Sequence, residues 1–392
     1  MPVIVTALDN VTHTLFALTL ARTPLGRAGR GTTAALVLAS NAPDIDIVAA
    51  VRGGDNYLTW HRGPTHGLLG IIGLGLLAAG LARVGLQFTR QSPDEEPDAS
   101  FGLLAAIGMM GVLFHVLMDL PTSYGTRLLS PFDWHWFAID WMPIVDIYLL
   151  AILAAGLAFG RQWTLKGPLS VPHVGLSGTR STSQRRNAAI VLVLMTANYG
   201  VRAAAHHEAL ANATRLFGPI LPERCDAAAT NSAVINYWPH TVASAAGEPD
   251  RRCLVDIAAV PTFISPFRWR VIAHLSNAYA IHDIDLLDAR FRQPPSESEV
   301  MYRTTLRVPN VWTPPVFAAA TTRQGRAFLG FARFPAARGF IDPTGTATVR
   351  WTEMRFVGGP PTLDRSGRPN DPFGVVVRIA PDGRVLDEQL GR

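Results

Sequence analysis

The apolar positions of this chain crowd into runs before about residue 205 and thin out afterwards. Four runs, residues 67–86, 101–120, 143–159 and 187–205, approach or reach the roughly 20 helical residues that a bilayer requires. Two earlier segments are shorter or interrupted. Residues 8–20 carry Asp9, Asn10 and His13, and residues 32–48 carry Asn41, Pro43, Asp44 and Asp46. Both read as membrane helices with polar outer ends, which brings the expected total to about six. Gly70, Gly73, Gly75 and Gly80 in the first long run would let a neighbouring helix approach closely. Past residue 205 the pattern shifts to a period of two. Residues 268–274, 278–287, 346–357 and 375–380 read as strands, and Pro381-Asp382-Gly383 reads as a hairpin turn. The expected fold is an α-helical polytopic membrane domain followed by a small β-rich soluble domain. Residues 1–206 would be membrane-embedded, 207–260 an extracytoplasmic connector and 261–392 the β-rich domain.

Composition agrees with that division. Only 17% of the 392 residues are charged and the mean hydropathy is +0.18, both pointing away from an ordinary soluble protein. The net charge of +5 comes almost wholly from arginine, since Lys166 is the sole lysine. No basic run interleaved with aromatics suggests a nucleic-acid partner. Arg22, Arg27 and Arg30 lie between the first two expected spans, and Arg161, Lys166, Arg180, Arg185 and Arg186 between the last two. Basic short loops stay cytoplasmic. Six passes then place both the N-terminus and everything after residue 205 outside a bacterial-type inner membrane. The first ten residues have neither a basic start nor a cleavage site, so no cleaved signal peptide is expected. Cys225 and Cys253 permit one disulfide or two free thiols.

On this topology the polar motifs converge. His13, Asp44, Asp46, His61, His66, His115, Asp119, Asp140 and Asp146 all fall at the outer membrane face, although the topology rests on Arg and Lys alone. His115 and Asp119 are four apart and share a helix face. Pro43 should end the second helix and leave Asp44-Ile45-Asp46 extended, with both carboxylates on one side. Imidazole nitrogens with carboxylate oxygens are a zinc-type ligand set, and so many of them suggest two or more divalent ions. Paired ions can clamp the oxygens of a phosphoester. Arg62 offers a planar fork for phosphate. Taken singly, each residue has a plainer explanation as a helix cap, turn former or interfacial loop; the expectation of a metal site rests on their coincidence at one face. His282-Asp283-Ile284-Asp285 alternates on an expected strand and reads as surface charge.

Asp9-Asn10-Val11-Thr12-His13, Ala42-Pro43-Asp44-Ile45-Asp46, His61-Arg62-Gly63-Pro64-Thr65-His66 and the His115–Asp119 pair resemble the membrane-bound metal-dependent hydrolase family, whose archetype is LexA-regulated. More distantly, that family is similar to zinc-dependent phospholipase C. The resemblance implies a helical metal core with His13, Asp44, His61, His66, His115 and Asp119 as ligands and hydrolysis of a phosphoester. Gly67 stands where the resemblance leads one to expect a small hydroxyl residue. The expected function is a membrane-bound hydrolase using water activated by a divalent metal, zinc being the expected ion, on a lipid or lipid-linked phosphoester. Asp46 or Asp146 would act as general base and Arg62 would steer the anion. The alternative is a non-catalytic, membrane-anchored envelope binding or assembly protein.

Overall fold

The computed structural model describes residues 2–89, 97–165, 177–213, 222–225, 237–238, 253–288, 306–357, 362–363, 369–370 and 373–391. Two compact units emerge, one from Met1–Asp46 with Arg62–Ala203, the other from Ile47–His61 with Ala204–Arg392.

The first unit is helical. It holds α1 (Pro2–Ala21), a short 3-10 helix (Pro24–Arg27) and α2 (Thr32–Asn41). A second 3-10 helix (Pro43–Arg52) begins in this unit, while α3 (Gly54–Trp60) belongs to the other. The unit continues with α4 (Leu68–Gln87), α5 (Phe101–Asp119), α6 (Ile147–Leu165) and most of α7 (Ser177–Ala211). Helix α5 is central, packed against α2 and α4. Ser100 caps its start by accepting a hydrogen bond from the Leu103 amide. The α4–α5 crossing depends on two glycines. A Cβ at Gly75 would lie 2.6 Å from Met109 Cα, and one at Gly108 would lie 2.3 Å from the Gly75 carbonyl oxygen. Of the other glycines expected to serve this purpose, Gly73 and Gly80 meet nothing within 4 Å and Gly70 abuts the Thr65 carbonyl instead. Phe16, Leu36, Leu104 and Leu153 fill the core between α1, α2, α5 and α6. Leu69, Ile72 and Leu76 leave α4 outward, as a lipid-facing surface requires.

The number of spans found among the described residues is lower than six. Among the described residues, three helices are long and apolar enough to cross a membrane: Leu68–Gln87, Phe101–Asp119 and Ser183–Ala211. The pair Thr32–Asn41 and Pro43–Arg52, bent by 43°, makes a fourth if counted as one span. Helix α1 carries Asp9, Asn10 and His13, and among the described residues α6 has a shorter apolar stretch, Ile147–Phe159. The stretch after Pro43 is also not extended. Proline is at home in the first turn of a helix, and here it opens a 3-10 turn carrying both Asp44 and Asp46. Lys166, on which the expected orientation partly rested, lies outside the described residues.

The second unit carries the β-structure. Strands β1 (Leu254–Pro261), β2 (Arg268–Leu275), β3 (Ala278–Asp285) and β4 (Leu306–Pro309) form an antiparallel sheet in chain order. A two-residue Ser276-Asn277 turn joins β2 to β3. The acidic run of β3 is ion-paired across the strands: Arg268 Nε meets Asp285 at 2.9 Å, and Arg270 grips Asp283 through two nitrogens at 2.7 and 2.9 Å. Then come α8 (Pro314–Ala320), α9 (Arg323–Phe331), β5 (Pro335–Ile341), β6 (Ala347–Glu353), a short β7–β8 pair (Thr362–Leu363, Pro369–Asn370), β9 (Gly374–Ile379) and β10 (Val385–Leu390). The second sheet runs β10-β9-β6-β5. Its β9–β10 hairpin turns at Pro381-Asp382-Gly383, with Gly383 at φ 86°. Trp312, Phe328 and Trp351 pack α8 and α9 onto this sheet. Cys225 and Cys253 are disulfide-bonded.

Candidate metal centre

The polar middle of α1, the 3-10 turn after α2, the C-terminal end of α5 and the loop before α4 meet inside the helical unit. Their side chains form two groups with one member in common. Asp44, His66, His115 and Asp119 each offer a ligand atom, all within 4.8 Å of one another; so do Asp9, His13 and Asp119. All are buried.

The first group has the dimensions of a tetrahedral zinc shell. Zinc–ligand bonds of about 2.0–2.2 Å separate neighbouring ligands by about 3.3–3.6 Å. Here the two Nε2 atoms of His66 and His115 are 3.2 Å apart. Asp119 Oδ2 is 3.3 and 3.4 Å from them, and Asp44 Oδ1 is 3.7 Å from each. The outer ring nitrogens are fixed by partners. His115 Nδ1 donates to the Ser40 carbonyl at 2.8 Å, one of the carbonyls left over where α2 ends. His66 Nδ1 lies 3.0 Å from Thr65 Oγ1 and 3.8 Å from Asp46 Oδ2. The Thr65 hydroxyl is thus the hydrogen-bond partner that sets the ring, and Asp46 stands behind it as a negative charge. Burial opposes a charge on His66, yet the Asp119 and Asp44 carboxylates outweigh it and lift that imidazole to about 9. The cluster calls for positive charge at this point, whether it comes from a proton or an ion.

The second group is more open. His13 Nε2 lies 3.6 Å from Asp9 Oδ1 and 3.4 Å from Asp119 Oδ1, and neither ring nitrogen of His13 makes a hydrogen bond. Asp119 thus presents Oδ2 to the first group and Oδ1 to the second. Three ligand atoms are one fewer than a tetrahedral set, and a narrow pocket adjoins them, lined by Asp9, Thr12, His13, Asp119, Thr122, Asp146 and Tyr199 on its polar side.

Arg62 sits among these acids rather than waiting at a mouth. It is 1% exposed. Nη2 is 3.1 Å from Asp9 and 3.3 Å from Asp119, and Nη1 donates to Thr122 Oγ1 and the Gly125 carbonyl. Its φ of 49° is unusual outside glycine. The Asp46 carboxylate accepts its amide at 2.7 Å, and its carbonyl accepts from the Arg127 amide, which holds the backbone there. Asp146 is also engaged: Oδ1 accepts from the Leu149 amide at 2.7 Å and from Asn198 at 3.4 Å, and Oδ2 pairs with Arg202 at 2.5 Å. His61 belongs to neither group among the described residues. It ends α3, with Nε2 3.4 Å from the Tyr57 hydroxyl. Asp140 is buried with φ 64° and is likewise outside both.

These motifs all lie within residues 9–146, inside the stretch matched by a known family. The YdjM inner membrane protein family matches residues 8–209, just over half of the chain and a stretch that contains both groups. The chain belongs to that family. It is accordingly a membrane protein, in keeping with the apolar helices of the first unit. The chain is also similar to the uncharacterized protein YfhP of Bacillus subtilis (strain 168), 26% identical over 142 residues. That match covers 36% of this chain and 39% of YfhP. No solved structure matches. Neither name states an activity, so the chemistry of this YdjM-family chain has to be argued from its side chains.

One member of the centre was readable and missed. Asp9 lies four residues before His13 on α1, the mirror of His115 four before Asp119 on α5. That shared spacing was the available signal. Arg202, Asn198 and Tyr199 carried none, because only the packing of α7 brings them here.

Proposed function

We propose that this protein is a membrane-bound metal-dependent hydrolase acting on a phosphoester of a lipid or lipid-linked molecule. The observation that carries the reading is the division of labour between two groups sharing Asp119: four donors spaced as a closed tetrahedron, and three donors beside a pocket. Structural zinc sites are closed by four protein ligands, whereas catalytic ones keep a place for water. In the second position a bound divalent ion would polarise a phosphoryl oxygen and lower the pKa of water.

The chain's own residues have distinct tasks. His66, His115, Asp44 and Asp119 hold the inner ion, with Ser40 and Thr65 setting the ring orientations. Asp9 and His13 complete the outer position. Arg62 offsets the charge of Asp9 and Asp119 so that four buried carboxylates, counting Asp46, are not left facing one another. The same guanidinium makes the outer position a weaker cation site than the inner one. Met118, Met142, Ile144 and Leu149 line the rest of the pocket, which suits an apolar substituent on the phosphoester. The C-terminal β unit is assigned to the extracytoplasmic side; the Cys225–Cys253 disulfide, which fits an oxidising compartment, supports this.

The test is detergent-purified full-length protein, assayed for bound metal and then for turnover of a phospholipid panel and a generic phosphodiester. Turnover that disappears in His13→Ala while the inner ion stays bound is the expected result. Bound metal with no turnover of any phosphoester would instead support the second reading, a structural ion in an anchored envelope-binding protein, which the closed four-donor geometry by itself favours.

A further inference from the structure

The pocket beside His13 is short of hydrogen-bond donors for an anionic ligand. Its wall carries the carboxylates of Asp9, Asp119 and Asp146. The Arg62 nitrogens that reach this region are taken by Asp9, Asp119, Thr122 and the Gly125 carbonyl. The Thr122 hydroxyl is committed too: it donates to the Asp119 carbonyl at 2.7 Å and accepts from Arg62 and from the Gly125 amide. Arg202 is paired with Asp146. Tyr199 is different. It lines the same pocket, and its hydroxyl has no hydrogen-bond partner among the described residues. The charged groups acting on it are Asp119, Asp146 and Asp9.

Its placement is well supported. Asn198 and Arg202, the preceding residue and the one a turn further along α7, both hold Asp146. Asp146 in turn caps α6 through the Leu149 amide. Helix α7 is therefore pinned in rotation, and the Tyr199 ring packs against the core between α1, α5 and α6. A phenol is protonated at neutral pH, so the group offered to the pocket is a donor. A ligand oxygen in the pocket would give this hydroxyl an acceptor.

We infer that Tyr199 is a substrate-binding residue, its hydroxyl donating a hydrogen bond to a non-bridging oxygen of a phosphoryl group held over the outer position of Asp9, His13 and Asp119. This rests on the hydrolase reading, and supplies an uncommitted neutral donor beside His13 in a site crowded with carboxylates. Binding of inorganic phosphate to the metal-loaded full-length protein in detergent tests it, with bound metal measured on the same samples. Tyr199→Phe removes only the hydroxyl. The expected result is unchanged metal content and phosphate binding weakened about tenfold or more, the usual scale for a hydrogen bond to a charged group, with turnover reduced in parallel where a substrate is available. Equal phosphate affinity in wild type and Tyr199→Phe overturns the inference and leaves the hydrolase reading standing. No phosphate binding by the metal-loaded wild type overturns both.

Discussion

The Nε2 atoms of His66 and His115 face each other at 3.2 Å, although the opposite nitrogen of each ring is occupied by an outward partner. A carbonyl can only accept, so His115 must carry its proton on Nδ1, toward Ser40. The Thr65 hydroxyl can donate or accept, so His66 Nε2 either turns a second lone pair toward His115 Nε2 or carries a proton there, with two carboxylate oxygens alongside. A proton on His66 or a bound metal ion would satisfy such an arrangement, and the proposed inner ion makes a testable claim on it. His115→Ala is therefore expected to weaken the inner ion by about 100-fold or more, beyond the loss usual for an outer-shell change. His13→Ala should leave that ion in place and empty the outer position. Metal per protein, measured after dialysis at graded chelator strengths, checks both; equal content in His115→Ala and wild type would show that no ion sits there.

Asp46 touches His66 from behind and also accepts the Arg62 amide. Its loss should loosen the site without dismantling it. Asp46→Asn is expected to lower metal affinity about 10- to 100-fold, leaving the stoichiometry at saturating metal unchanged. Were Asp46 instead a proton acceptor in turnover, the same variant would keep full metal affinity and lose only rate.

The HxxxD pair and the His-rich loop before α4 stand out in the sequence because their spacing is local. Their depth does not: Arg62 reads like a surface fork, and only the tertiary arrangement places it between Asp9 and Asp119. Asp44 and Asp46 were visible as acids after a proline, but whether the proline ends one helix or begins another depends on what packs around it. In the β unit, β2, β3, β6 and β9 announce themselves through alternation or β-branched runs. β5 reads Pro-Ala-Ala-Arg-Gly-Phe-Ile, with small residues where the core is tightest and Phe340 and Ile341 exposed, so no period-two pattern survives. The α8 segment carried a usable signal in Thr313-Pro314-Pro315, a proline in the first turn after a threonine.

Gly67 precedes α4 at ordinary backbone angles, so its requirement is space rather than conformation. A Cβ there would lie 2.3 Å from the Ser130 carbonyl oxygen and 3.0 Å from its hydroxyl oxygen. Ser130 cannot easily retreat, since its amide and hydroxyl are both bonded to the Arg127 carbonyl. Gly67→Ser, which restores the residue type expected from the hydrolase resemblance, is predicted to destabilise the helical unit by about 1–3 kcal/mol, the usual cost of overpacking. A thermal melt in detergent reads this directly. An unchanged or raised midpoint would mean that the Ser130 loop moves aside and that the hydroxyl is accepted.

His274 on β2 gives the β unit its own acid sensitivity. It is 1% exposed, stacked on Tyr279 with ring centroids 4.5 Å apart and edge-on to Phe334, and neither ring nitrogen has a hydrogen-bond partner. Asp256 is its cross-strand partner on β1, but that carboxylate bonds its own neighbour's amide and lies near Arg333. Glu353 acts on Tyr279. Burial alone drives the His274 pKa down, to about 3. An unfolded histidine titrates near 6.5, so below that pH the unfolded chain takes up a proton that the folded one refuses. Stability is then full above about pH 6.5 and falls with decreasing pH, by up to about 1.4 kcal/mol per unit, until about pH 3. The measurement is the unfolding free energy of the full chain in detergent at pH 7 and pH 5, for wild type and His274→Leu. Leucine keeps the volume and removes the titration, so the variant should lose about 1–2 kcal/mol less than wild type over that interval. Identical losses in the two proteins would mean that His274 finds a proton acceptor or water in the folded state.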